Sequence, residues 1–437
     1  MNLSAIVRGL HEHGPLSRSE LVSETGLTRS AIRGLVGQLV DSGLAVEDRA
    51  VRLGTPGRPS PLVRLDGAAT TALAFDIAVD SLAAAIVGLG GAVLDQARID
   101  RPRGHSSVDD IAADLAQLAA GLGDTRFPAP TLIGIGVAVA GVVRRSDGLV
   151  AMAPNLGWTD VPLGTRLSAA LGVAVPVAVG NEADLGVLAE HRRGAAIGVD
   201  DVLYVSGEVG VGGGLIVGGN PFSGASGYGG EIGHMPVNPA GSSCRCGSTG
   251  CWETEIGEEA LLARSGRPRD AGRAGVAEIV REAEAGGVTA LAALDDVGAW
   301  LGVGLAGLVN VLNPRLIVLG GQFCQLFPFV RAALETELGR RALRAPRALV
   351  QVVPASLGVD APLLGAAELA FEPILADPAA WFGPRSAPHG WQPHEPSRRI
   401  PPCHVVRRHR TSPTRKGNAN DVALRRHQAV DGTTTVV

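Results

Sequence analysis

The chain has 437 residues, 46% of them hydrophobic, with 60 Gly and 28 Pro, long enough for two or three domains with cores of their own. Its net charge of −4 excludes a global basic surface for nucleic acid, so any DNA contact must come from a local face. No long uncharged apolar run suits a membrane helix, and Arg8, His11 and Glu12 break the opening apolar stretch that a secretion signal would need. Free thiols and a candidate metal cluster fit a reducing, cytoplasmic location.

Ser17 and Glu20 have capping-box spacing, which predicts a helix ending at Gly26, a natural left-handed cap. Thr28 then caps a second helix, whose Ile32, Leu35, Val36, Leu39 and Val40 form one apolar stripe. Two helices joined by a short Gly-containing turn read as a helix-turn-helix. Residues 44–47 and 51–53 read as a two-stranded wing, followed by the extended segment Gly57-Arg58-Pro59. In this motif the N-terminal end of the second helix enters the major groove, so the candidate DNA contacts are Arg18, Thr28, Arg29, Ser30, Arg33, Arg52 and Arg58. Residues 1–66 are assigned to this head and its linker. They hold eight Arg against seven acids, a balance that leaves a small dimerisation module as the competing reading.

Residues 71–76 and 82–89 form a hairpin pattern, repeated at 202–206 and 213–217. Helical segments at 108–122, 181–193 and 295–312 alternate with apolar strands at 132–138, 175–179 and 316–319. This predicts an α/β body of two lobes with a cleft between them, spanning 67–375. The strand at 175–179 ends at Asn181 and Glu182, where ligand clefts open in α/β sheets.

Cys244, Cys246 and Cys251 fall within eight residues, ten residues after His234. Three thiolates and one imidazole make a complete tetrahedral set for zinc and leave no open position, so the site is structural. Gly247 and Gly250 let the loop turn its sulfurs inward. The alternative is three unrelated thiols in a Gly-rich loop.

Glu231-Ile232-Gly233-His234 followed by Cys244-Arg245-Cys246-Gly247-Ser248-Thr249-Gly250-Cys251-Trp252-Glu253 resembles the signature of the ROK family of sugar kinases and sugar-responsive repressors. Pro154 to Trp158, Asn181 to Asp184, Gly210 to Gly214, and Asn313-Pro314 through Gly320-Gly321 look like further family blocks in family order, covering about residues 70–375. The resemblance implies a winged helix-turn-helix head, which ROK repressors carry and ROK kinases usually lack. It implies a duplicated, actin-like (ribonuclease-H-like) sugar-kinase fold. It also implies sugar contacts by Asn155, Asn181, Glu182, Glu231, His234 and Glu253.

A kinase of this family needs an Asp as base, where this chain has Glu182, and two phosphate loops. The first loop of the family, Asp-x-Gly-Gly-Thr, corresponds to Asp76-Ile77-Ala78-Val79-Asp80. The second, Gly-Thr-Gly-x-Gly-Gly-Gly, corresponds to Glu208-Val209-Gly210-Val211-Gly212-Gly213-Gly214. Asp80 and Glu208 place carboxylates where phosphates would sit, with no Lys to compensate, so no catalytic residues are expected. The surviving glycines also fit tight packing of a hairpin. The combined reading is a sugar-responsive transcription regulator, a repressor, binding operator DNA and a sugar or sugar-phosphate effector as a homodimer or homotetramer. The alternative is an ATP-dependent sugar kinase with a fused DNA-binding head and Glu182 as base; a third reading is a scaffold that binds neither sugar nor DNA. The Pro/Arg-rich stretch 376–437 reads as disordered.

Overall fold

Ser17 and Glu20 close their capping box, each side chain bonding the other's backbone N–H, in the computed structural model, which describes residues 2–48, 61–104, 106–123 and 131–382 and the backbone of 406 and 407. The first elements are α1 (Asn2–His13), β1 (Leu16–Ser17), α2 (Arg18–Thr25), α3 (Arg29–Asp41), β2 (Ala45–Asp48) and β3 (Leu62–Leu65). Gly26 ends α2 at φ 68°, and Thr28 caps α3 by accepting from the Ala31 N–H. β3 lies between β1 and β2 and is antiparallel to both. The partner of β2 is therefore 62–65. The wing strand expected at 51–53, with Arg52 and Arg58, lies outside the described residues.

The first lobe begins with an antiparallel meander of β4 (Thr70–Ile77), β5 (Ser81–Gly88) and β6 (Val93–Asp100). After α4 (Val108–Ala120), β7 (Thr131–Val139) pairs parallel to β4. A side sheet of β8 (Val142–Arg144), β9 (Leu149–Ala153) and β10 (Trp158–Val161) follows, then α5 (Leu163–Leu171) and β11 (Val177–Asn181), parallel to β7. The linking helix α6 (Glu182–Arg193) leads to a second meander of β12 (Val202–Gly207), β13 (Val211–Val217) and β14 (Asn220–Pro221). Next come α7 (Glu253–Ile256), α8 (Glu258–Arg264), α9 (Gly272–Glu284) and α10 (Val288–Leu312). β15 (Leu316–Gly321) pairs parallel to β12; α11 (Phe323–Arg341) and α12 (Arg344–Arg347) precede β16 (Gln351–Pro354), parallel to β15. The strand orders β11-β7-β4-β5-β6 and β14-β13-β12-β15-β16 are the same topology used twice, the duplicated two-lobed architecture expected.

The last long helix, α13 (Ala361–Ala376), returns to the first lobe. It packs so closely that a Cβ on Gly136 of β7 would stand 1.8 Å from the Ala366 carbonyl oxygen. Ile6, Val7 and Leu10 of α1 and Ile32, Val36 and Leu39 of α3 share one buried apolar cluster with Ala72, Leu363, Phe371 and Ile374. The α1–β3 unit is thus fused to the first lobe through a common core.

α10 is 25 residues and apolar enough, by length and composition, to cross a membrane, although Asp295 and Asp296 interrupt it, and 61% of its apolar stretch is buried in the second lobe. Its Leu294, Val297, Leu301 and Leu305 are core residues, which explains the composition. The segment after 376, expected without structure, continues as a 3-10 turn at Pro378–Trp381, with Trp381 and Phe382 against the shared core. A short strand β17 (Val406–Arg407) adds to the β6 edge. Cys403, His404 and the rest of the tail lie outside the described residues.

Glycines at open and closed positions should respond oppositely. Gly34, inside α3 with open space around it, should gain about 0.5–1 kcal/mol on replacement by Ala. Gly136→Ala should abolish folding. Denaturant unfolding and soluble yield of both variants check this.

Candidate functional site

The loop after β14 is held by short backbone ties. The Cys244 N–H bonds the Ser248 carbonyl at 2.8 Å, and Gly250 N–H bonds Ser242. Gly247 and Gly250 are left-handed at φ 93° and 68°, and a Cβ on Gly250 would lie 1.6 Å from the Asn238 carbonyl oxygen. This fold brings the ligand atoms of His234, Cys244, Cys246 and Cys251 within 4.8 Å of one another. Cys244 Sγ is 3.7 Å from His234 Nδ1, and Cys246 Sγ is 3.6 Å from Cys251 Sγ. A tetrahedral ion with metal–sulfur bonds of about 2.3 Å sets ligand–ligand edges of about 3.6–3.8 Å, so the four residues fit such an ion. Glu253 Oε1 accepts from Cys244 Sγ at 2.9 Å and stands 3.4 Å from His234 Nδ1.

Beside this cluster, α6 opens the second part of the site. Asn181 is its cap: Oδ1 accepts from the Ala183 and Asp184 N–H groups, and Nδ2 donates to the Gly141 carbonyl at 2.9 Å. Its amide is therefore committed to holding the turn. Asn155 accepts from Arg245 Nη1 at 2.7 Å, tying the β9–β10 turn to the metal loop. Burial first, and then the nearby Glu253, push Glu231 up against the opposing pull of His234. Burial first, then Glu208 and Asp76, push Glu182 up to about 8. Asp184, two residues along, rises to about 7 through burial and Glu231. The surviving glycines are explained by packing: a Cβ on Gly214 would lie 2.3 Å from the Ala183 carbonyl oxygen.

The phosphate-loop region carries cations that sequence spacing does not reveal. Arg103 donates to Asp80 Oδ2 at 2.7 Å and to Glu258 Oε2 at 2.9 Å. Arg273 Nη2 lies 2.9 Å from Asp80 and 3.2 Å from Glu208. Arg98 lies 3.1 Å from Asp76 and 3.3 Å from Asp360. The expectation that Asp80 and Glu208 stand uncompensated is therefore corrected: arginines do what no lysine does here. Arg103 belongs to the first lobe and Glu258 to the second, while Arg273 of the second reaches Asp80 of the first, so the pairs cross the cleft. A cavity remains among Asp76, Arg98, Glu182, Tyr204, Glu208 and Arg273.

On the α1–β3 unit, Thr28, Arg29, Ser30 and Arg33 all lie exposed on the first turns of α3. Arg18 does not stand free with them. It makes a paired contact to Glu47 at 2.7 and 2.8 Å, bracing α2 against β2.

Comparison with known proteins places this architecture. The model of the ROK family matches residues 72–372. The xylose repressor of Bacillus subtilis (strain 168) is 30% identical over 378 residues, 86% of this chain and 96% of that protein. A solved ROK family transcriptional regulator, a homolog of the E. coli MLC protein, superposes with a TM-score of 0.70 at 25% identity over 86% of this chain and 97% of its own. The ROK family glucokinase of Streptomyces griseus, solved with glucose and AMPPNP, reaches a TM-score of 0.60 at 28% identity, covering 68% of this chain and 98% of its own. The regulators thus share more of the chain than the kinase does.

Glu182 gives a direct check on the electrostatics of the site. Its folded pKa stands above the unfolded value, so the folded state holds the proton longer, and stability falls as pH rises from about 4.5 to about 8. Glu182→Gln removes this loss. The melting-temperature advantage of the variant should therefore grow between pH 5 and pH 8, and thermal melts of both proteins at several pH values in that window measure it.

Proposed function

The chain belongs to the ROK family, and from that premise we propose that it is a sugar-responsive transcriptional repressor of the cytoplasm, not a sugar kinase. One observation carries the reading: the two loops that correspond to the family's phosphate loops carry Asp80 and Glu208, and Arg273 pairs with both, reaching Asp80 across the cleft, while Arg103 joins Asp80 to Glu258 of the other lobe. An incoming polyanion would have to take Arg103 and Arg273 from carboxylates that then face it unpaired, and removing one partner of such a pair costs more than the pair itself contributes. The matches to a xylose repressor and to a regulator over 86% of the chain support the same reading.

In this reading residues 1–66 form a winged helix-turn-helix, and α3 presents Thr28, Arg29, Ser30 and Arg33 to the major groove. Arg52 and Arg58 act from the wing, and Arg18 holds the motif together through Glu47. Zinc on His234, Cys244, Cys246 and Cys251 fixes the loop that carries Glu231 and Glu253; its contribution is structural. Asn155 and Asn181 set the turns around the sugar, and Glu182, Glu231, His234 and Glu253 meet its hydroxyls. The carboxyl groups of Glu182, Glu231 and Glu253 offer hydrogen-bond partners to the hydroxyls of a neutral aldose and no cation to a sugar phosphate. Sugar binding shifts the balance between two lobe arrangements and so alters how paired heads of a homodimer or homotetramer meet the operator.

Binding to the promoter region of the chain's own gene should be sequence-selective, and Arg33→Ala should cost about 1–3 kcal/mol while relaxing selectivity at one position. A gel-shift series with competitor DNA reads this. Sequence-blind binding, together with ATP-dependent sugar turnover that Glu182→Gln abolishes, would establish the kinase instead.

The metal gives a second check. Purified protein should hold one zinc per chain, and Cys246→Ser should lower both the zinc content and the sugar affinity. Metal analysis paired with calorimetric sugar titration reports both.

A further inference from the structure

Helix α6 has chemistry at both ends. Its first turn carries the Asn181 cap, Glu182 and Asp184 of the candidate sugar site. Twelve residues on, about 18 Å along its axis, Arg192 and Arg193 close its last turn. Both reach Glu368 of α13, a carboxylate only 1% exposed: Arg192 Nη1 donates to Oε2 at 3.0 Å, and Arg193 Nε donates to Oε1. The remaining partner of Glu368 comes from the α1–β3 unit. His11 of α1, 1% exposed, lies with Nε2 2.8 Å from Glu368 Oε2. The Gly90 N–H donates to His11 Nδ1 at 3.0 Å, and Arg193 Nη2 lies 2.7 Å from His11 Nε2. Arg193 also donates to the Gly90 carbonyl at 3.0 Å, and Phe371 meets the His11 ring edge-on at 5.3 Å. Three side chains from two separate elements thus converge on one buried carboxylate, and although burial pushes it up, its contacts with His11, Arg193 and Arg192 hold it well below the usual carboxylate range.

The helix between these ends has little slack. Glu190, fully buried, accepts from Ala195 N–H, from Ser356 N–H and Oγ, and from Leu357 N–H, pinning α6 to the loop after β16. A Cβ on Gly365 of α13 would lie 1.9 Å from the Leu185 carbonyl oxygen, and one on Gly186 would lie 2.7 Å from the Tyr204 ring. A helix wedged in this way moves as a body when its first turn is displaced.

We propose that α6 is the rod that reports sugar occupancy to the DNA-binding head, and that the His11–Glu368–Arg193 cluster is its coupling joint. Displacement of the Asn181–Asp184 turn by a bound sugar moves α6 and, with it, the α13 segment packed on Leu185, so Arg192, Arg193 and Glu368 shift together. The buried cluster tolerates no unpaired member, so α1 moves with them and re-aims α3. His11, Glu368 and Arg193 are positioning residues: they touch neither sugar nor DNA.

This inference rests on the repressor reading, and the test separates the two. Operator affinity is measured by fluorescence anisotropy on a promoter fragment, with and without saturating D-xylose, and with D-glucose in a parallel arm, for the full-length wild type, His11→Ala, Arg193→Gln and the conservative Arg193→Lys. The Arg8→Ala variant, which breaks the more exposed Arg8–Glu372 pair on the same face, serves as control. The wild type and Arg8→Ala should show a sugar-induced change of about fivefold or more. In His11→Ala and Arg193→Gln that change should shrink to within about twofold of unity, while sugar affinity measured by calorimetry stays within about twofold of the wild-type value. Retention of the full change in these variants overturns the proposal and leaves the repressor reading standing. Should the two fail to fold, Arg193→Lys decides in the same way, since it keeps the charge and loses the forked contact. A wild type whose DNA binding responds to neither sugar overturns the repressor reading, and the coupling joint with it.

Discussion

A carboxylate inside a protein must find its positive charge or its N–H donors, and this requirement organises the chain at several places. In the cleft, Asp76, Asp80, Glu208 and Glu258 meet Arg98, Arg103 and Arg273. At the loop after β16, Glu190 is met by backbone N–H groups and a hydroxyl. Between α1 and the body, Glu368 is met by His11, Arg192 and Arg193. Arg103 with Glu258 and Arg273 with Asp80 join the two lobes, and His11 with Glu368 joins α1 to the body, so the same rule that keeps the charges tolerable also holds the lobes and α1 in register.

These pairings also separate ligand recognition from phosphoryl transfer. A kinase cleft must leave its donors open for phosphate, whereas here the donors are consumed internally. The tight backbone approaches of the glycine-rich hairpin persist because α6 packs against them, whether or not a nucleotide ever enters. The His/Cys loop places Glu253 beside His234. What remains is a carboxylate-lined pocket bounded by α6, and α6 ends at the joint with α1. A sensor needs no more than a ligand site, a rigid element and a second surface that the element can re-aim.

Much of this was legible in the sequence. The capping box at Ser17 and Glu20, the Gly26 stop and the Thr28 cap are local interactions, and local chemistry decides them. The repeated hairpins at 71–89 and 202–217 are legible because short continuous apolar runs joined by a turn report strands buried along their whole length. The metal cluster was readable because its four ligands lie close together in the chain. α1 went unassigned although Leu3, Ile6, Val7 and Leu10 have helical spacing, because its apolar face is buried against α13, about 360 residues away. Arg103 and Arg273 were missed for the same reason: 23 and 193 positions separate them from Asp80, and no local pattern marks such pairs. Arg18 sits among the other candidate DNA contacts in sequence, and only its distance to Glu47 shows its structural duty.

If one chain senses a sugar and reads DNA, linkage makes the coupling measurable from the sugar side. Calorimetric titration of the aldose into the protein, alone and saturated with operator DNA, measures the effect of DNA on sugar affinity. The coupling must be reciprocal, so operator should change sugar affinity by the same factor, about fivefold or more, by which sugar changes operator affinity. Equal sugar affinity in the two titrations would contradict the account.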